Sequence, residues 1–208
     1  MSSHEYQLHT ILIGDSPLAW AEAGFTVDDD RVRIGMTTLH LVGGKQRGIN
    51  AVGISGLAGQ IDGLNCDAAS VDARPGTHPN HVDGIDHLVV VSPAIDRTTA
   101  TLAAAGIEAR RQRAFSMEGK ARRQCFFWLG DVILELIGSD DVKATGPARF
   151  WGLALSCEDL DAAAAQLGAR LGQPVPAVQR GRSIATMRTR EHGISVPLAL
   201  MTPHHQQR

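Results

Sequence analysis

Two residues of metal-ligand type, His40 and Glu135, stand at the centre of one strand-like phrase that occurs twice in this chain. His40 is the centre of Leu39-His40-Leu41-Val42-Gly43, and the phrase returns 95 residues later as Leu134-Glu135-Leu136-Ile137-Gly138. His9 and His87 open the matching apolar runs "HTILIGD" and "HLVVVSP". Neutral imidazole and carboxylate suit Fe, Mn, Ni, Co or Zn as divalent ions, and such a cation polarises a carbonyl or stabilises an enediolate. In "VILELIG" strand alternation puts Glu135 on one face with Ile133 and Ile137. A carboxylate among aliphatic neighbours is costly to bury without a partner or a cation. The plain alternatives are a strand-end glutamate bridged to an arginine such as Arg123, and histidines that line a hollow or face water.

Other polar residues rank lower. His78 and His81 in "GTHPNHVD" imitate a ligand pair, but Pro79 and the turn-rich setting favour solvation. His204 and His205 belong to the tail. Arg111 and Arg113 share a face of one predicted strand, with Arg110 on the other. Arg111 and Arg123 are candidates for gripping a carboxylate or phosphate of a substrate. Solvated edge-strand charge is the ordinary role for most such arginines.

These residues must be held by repeated elements. Residues 84–140 read β-α-β-β-β: "DHLVVVS", a helix over "SPAIDRTTATLAAAG" with Ser92 as N-cap and Gly106 past its end, then "IEARRQRAF", "RRQCFFWLG" and "VILELIGS". Residues 147–203 repeat the plan, with "ARFWGLALS", an Ala-rich helix closing at Gly172, "SIATMRT" and "SVPLALMTP". Residues 1–64 give a shortened copy and, within the same stretch, one more opening strand in "GINAVGISGL". Residues 65–83 lack apolar periodicity and read as a linker, and 204–208 as a tail. The predicted class is α+β, with βαβββ modules forming curled mixed sheets.

The bulk composition narrows the function. With 20 basic against 22 acidic residues the chain lacks the excess that nucleic acid or an anionic membrane would call for. The start, "MSSHEYQLHT", has no signal-peptide character, and no apolar run approaches the ~20 residues of a spanning helix. Cys66, Cys125 and Cys157 show no CxxC spacing, so reduced thiols in a cytoplasmic protein are expected. Glycine-rich phosphate loops, GxSxG and HExxH are missing.

In order and spacing, "GIDHLVVVSPAIDRTTATLAAAGIEARR", "CFFWLGDVILELIG" and "FWGLALSCEDLDAAAAQLG" resemble the vicinal oxygen chelate superfamily of glyoxalases, bleomycin-resistance proteins and extradiol dioxygenases. The resemblance implies modules paired side by side around a half-open bowl, with ligands on the first and last strand of each. It would place His9, His87 and Gly152 at the first-strand position, and His40, Glu135 and either Leu198 or Ala199 at the last. Length pairs module 84–140 with 147–203. Ligand inventory instead pairs the first module with the second, since only that gathers His9, His40, His87 and Glu135. Two functions follow: a metalloenzyme of isomerase, lyase or dioxygenase type acting on vicinal oxygens, with Glu135 as ligand or general base, or a metal-free binder of the bleomycin-resistance kind. By analogy the resemblance also implies a homodimer.

Overall fold

The computed structural model describes residues 6–67, 74–117, 119–139 and 145–203. Its strands are β1 (Leu8–Ile13), β2 (Arg31–Ile34), β3 (Thr37–Leu41), β4 (Ile49–Ile54), β5 (Gly59–Ile61), β6 (Leu64–Asp67), β7 (Val82–Ser92), β8 (Arg111–Met117), β9 (Lys120–Leu129), β10 (Val132–Ser139), β11 (Arg149–Cys157), β12 (Val175–Pro176), β13 (Ser183–Thr186) and β14 (Leu198–Met201). Three short helices, α1 (Pro17–Glu22), α2 (Ile95–Ala104) and α3 (Leu160–Leu167), lie between them. The class is α+β.

The strands form two mixed sheets. The N-terminal one runs β2-β3-β1-β4-β6-β5 and the C-terminal one β12-β13-β14-β11-β7-β10-β9-β8. Each is built outward from a central antiparallel pair, β1 with β4 and β7 with β11, and each of these strands is flanked by a parallel partner. The second and third repeats thus share one sheet. The strand at "GINAVGISGL" pairs with β1 just as β11 pairs with β7.

Alternation decides which face is core. In β10, Val132, Leu134 and Leu136 are buried, while Ile133, Glu135 and Ile137 are half-buried. Leu88, Val90, Cys125, Phe127, Leu153, Leu155, Leu198 and Leu200 extend the buried face across the sheet. Burying one such leucine contributes about 1.5–3 kcal/mol. Helix α2 packs there through Ile95, Thr98 and Leu102. Its approach needs glycine at 138, where a Cβ would stand 2.7 Å from that of Ile95.

Some local expectations are corrected. Ser92 is not the N-cap of α2: Ala94 is, and the Ser92 hydroxyl accepts from the Ala94 N–H at 3.0 Å while touching Thr98 Oγ1 at 2.6 Å. Helix α3 ends at Leu167, four residues before the leucine that precedes Gly172, and a single 3-10 turn takes over at Gly168–Arg170. Asp159 caps its start, accepting from Ala162 N–H at 2.8 Å. The presumed linker 65–83 begins inside β6 and ends inside β7, and its residues 68–73 lie outside those described.

The two sheets are tied at several points. Asp15, fully buried, accepts from the backbone N–H of Ser195 at 3.0 Å, from its hydroxyl at 2.5 Å and from Trp20 Nε1 at 3.3 Å, with Arg47 3.2 Å away. Asp62 receives Arg97 Nε at 2.8 Å, and the Tyr6 hydroxyl donates to the Ala105 carbonyl at 3.1 Å.

Candidate functional site

His87 and Glu135 stand on neighbouring parallel strands. The register pairs His87 with Ile133 and Val89 with Glu135. Rung partners and residues two apart share a face, so both side chains leave the sheet on the side opposite the helices. Phe126 and Gln124 of β9 and Arg111 and Arg113 of β8 share that open face.

A β-bulge changes what lies behind His87. Between the rungs Ile85–Leu155 and His87–Ala154, strand β7 carries one extra residue, Asp86. Strict alternation would send Asp86 to the opposite side. The bulge instead lets its carboxylate meet its neighbour, with Oδ1 2.5 Å from His87 Nδ1. The other oxygen takes Arg182 Nη2. That guanidinium, 3% exposed, also donates to the Thr202 carbonyl at 2.6 Å and to Gln179 Oε1 at 2.8 Å. Burial pushes the Asp86 carboxyl up, but the close approach of His87 and Arg182 outweighs it and holds the group down at about 2. His87 thus has a buried carboxylate oxygen in close contact on its Nδ1 side, with the Phe126 ring edge-on at 6.5 Å.

Glu135 behaves in the opposite way. Burial raises its pKa, and the charge available on His87, a 2.5 Å hydrogen bond from Gln124 Nε2 and Arg113 only partly oppose this. A carboxyl easier to protonate than usual thus faces a buried imidazole across one shared surface.

The ladder also fixes which residues correspond between repeats. Leu12 pairs with His40 as Val89 pairs with Glu135, so His40 and Glu135 occupy the same place. Thr10 pairs with Thr38 as His87 pairs with Ile133, so Thr10 takes the place of His87. His9 is displaced from it: it falls in the bulge between Leu8 and Thr10, where the other sheet has Asp86. There its Nε2 lies 2.8 Å from Ser55 Oγ, and its buried Nδ1 has no partner among the described residues. Around β7–β11, Gly152 mirrors His87, and Ala199 rather than Leu198 mirrors Glu135.

This geometry bears on the metal the resemblance implied. His9 and His40 lie in the N-terminal sheet, and His87 and Glu135 in the other. Among the described residues no three His, Cys, Asp or Glu side chains gather as ligands for an ion. At 152 a Cβ would meet the Pro197 carbonyl oxygen at 2.6 Å, so a donor-bearing side chain does not fit. Two donors, His87 and Glu135, do not make the three- or four-ligand centre expected from the sequence.

Of the remaining candidates, Arg111 is exposed on the open face. Arg123 is not brought there. It lies opposite Gly138 and reaches Asp96 of α2 at 2.7 Å, on the helix side. His78 is structural: Nδ1 accepts the Thr26 N–H at 3.1 Å and Nε2 donates to the Arg33 carbonyl at 2.9 Å, while burial lowers its pKa. His81 sits in a turn with φ 60°, and His204 and His205 lie outside the described residues. Sequence reasoning missed Asp86, Gln124 and Arg182. Gln124 alone left a trace, since alternation from Phe126 puts it on the same face.

The three cysteines are buried and free. Among the described residues no helix is long and apolar enough to cross a membrane.

Comparison with known proteins bears on the fold. No curated protein matches in sequence. A xylose isomerase-like TIM barrel/4-hydroxyphenylpyruvate dioxygenase fusion protein superposes with TM-score 0.61 at 10% identity, over 94% of this chain and 48% of that one. An extradiol ring-cleaving dioxygenase from B. fuscum gives 0.56 at 11% identity, over 97% and 72%. Methylmalonyl-CoA epimerase from Mycobacterium tuberculosis gives 0.46 at 17% identity, over 60% and 90%. The first two of these likenesses show the fold, a glyoxalase-like arrangement of curled mixed sheets. The sequence profile of the Glyoxalase/Bleomycin resistance protein/Dioxygenase superfamily matches residues 86–186, the stretch from the bulged Asp86 through β13. Through that stretch, just under half of its length, the chain is similar to this superfamily.

Proposed function

We propose that the open face of the C-terminal sheet binds a small organic substrate and that Glu135 moves a proton on it, in isomerase- or lyase-type chemistry at a carbon beside a carbonyl. One observation carries this reading: Glu135, its pKa raised by burial, shares an open face with a His87 that Asp86 and Arg182 hold from behind. A general base works best when its pKa approaches the working pH, and burial moves a carboxylate that way. His87 would donate an Nε2–H to the substrate oxygen, where charge develops as the proton leaves; because Nδ1 faces the Asp86 carboxylate, this requires the imidazolium form. No step passes through a metal, since the donor set is incomplete.

The test is hydron exchange in D2O, followed by proton NMR, over a panel of small 2-oxo and 2-branched carboxylic acids. Wild-type protein should exchange at least one of them. Glu135→Gln should slow that exchange by about 10²–10⁴-fold, and a chelator should leave the wild-type rate unchanged. Exchange indifferent to Glu135→Gln would refute the assignment. Saturable binding without exchange anywhere in the panel would return the protein to the metal-free binder class.

A further inference from the structure

The open face continues past Glu135 into a cavity of about 540 Å³, which the proton-transfer reading does not use. Val91 and Ile137, one rung of the β7–β10 ladder, form its floor. Trp151 and Pro147 wall it. Trp151 is the extra residue of a second bulge, between Phe150 and Gly152, which turns its indole toward this hollow. Arg149 and Arg122 supply the charge, from strands on opposite sides of that floor: Arg149 lies directly opposite Val91, and Arg122 lies on β9 opposite Ser139. Among the described residues neither pairs with a carboxylate, and no acidic side chain lines the cavity.

We propose that this cavity is a subsite for an oxyanion, carboxylate or phosphate, carried on an apolar body. Two guanidinium groups set over an aliphatic floor beside an indole, with no carboxylate partner among the described residues, are complementary to such a molecule. Arginine binds planar oxyanions through paired N–H donors, and its weak hydration lowers the cost of doing so beside apolar surface. Glu135 precedes Ile137 by two residues on one face, roughly 7 Å along the strand. An acid seated on the arginines would therefore place a carbon a few bonds away over the carboxyl. That last point rests on the proton-transfer reading, whereas the subsite itself does not.

Calorimetric titration tests it with 3-phenylpropionate, phenyl phosphate and the neutral 3-phenylpropanamide. Saturable binding of either anion, with the amide about tenfold or more weaker, is the expected result. Arg122→Gln and Arg149→Gln should each weaken the anion by about five- to tenfold, while Lys120→Gln, at an exposed strand start, should leave it unchanged. Thermal melts of each variant show whether the fold is kept. Glu135→Gln should retain anion affinity, which separates failure of the subsite from failure of the proton transfer. Equal affinity for amide and acid, or unchanged binding in both arginine variants, would overturn the proposal.

Discussion

Replacing Arg182 by methionine isolates the contribution of the buried charge behind His87. The side chain is 3% exposed, and it would lose three donations: to Asp86, to Gln179 and to the Thr202 carbonyl. Methionine keeps much of the apolar stem, so the loss is chiefly electrostatic. Removing one partner of a buried pair leaves the other charge uncompensated, at a cost of about 3–5 kcal/mol. For a chain of this size that lowers the melting temperature by about 6–20 °C. Asp86 also sets the pH dependence. Its folded pKa, about 2, lies below its unfolded value, so its contribution is present above the unfolded pKa and disappears as pH falls through about 2. That contribution is about 2–3 kcal/mol. Without Arg182 the folded pKa rises and the acid-sensitive window moves to higher pH. Urea unfolding followed by circular dichroism, between pH 7 and pH 3, reads both effects. The double variant Asp86→Asn with Arg182→Met should recover a large part of the loss, because no orphaned charge remains. A loss under about 1 kcal/mol at pH 7, or strictly additive single variants, would refute the claim that these groups act as one unit.

Two further variants test other parts of the structure. Glu135→Gln should be more stable than wild type near neutral pH by about 0.5–2 kcal/mol, as is common when a functional charge is removed. The sign follows from the raised folded pKa: the native carboxyl contributes most below its unfolded pKa and loses that contribution as pH rises through the folded one, so the advantage of glutamine should vanish in acid. Equal stability of the two proteins across the pH range would count against a buried Glu135. Gly152→Ala should destabilise by about 1–3 kcal/mol, because its Cβ meets the Pro197 carbonyl oxygen at 2.6 Å, and a melt at wild-type temperature would remove the steric argument.

Much of this architecture was legible in the sequence, for definite reasons. Alternation in "VILELIG" put Glu135 on one face with Ile133 and Ile137, the face that the structure leaves half-buried, and the repeated phrase placed His40 and Glu135 at one shared position, as the ladder shows. What escaped was whatever depends on a local break in alternation. A bulge adds one residue without altering composition, so nothing in "GIDHL" told that Asp86 turns to the side of His87. The same event in "QLHTIL" made His9 look like the counterpart of His87 when Thr10 is. Arg122 and Arg123 are adjacent and chemically alike, and only the register reveals which of them faces the cavity and which meets Asp96.

The ties between the sheets join points far apart along the chain: Asp15 to Ser195, Tyr6 to Ala105, Asp62 to Arg97. The covalent path between the halves is therefore not what holds them to one another. A cut within residues 74–81 would leave two fragments still clasped, and neither would be expected to unfold by itself while the other stayed intact.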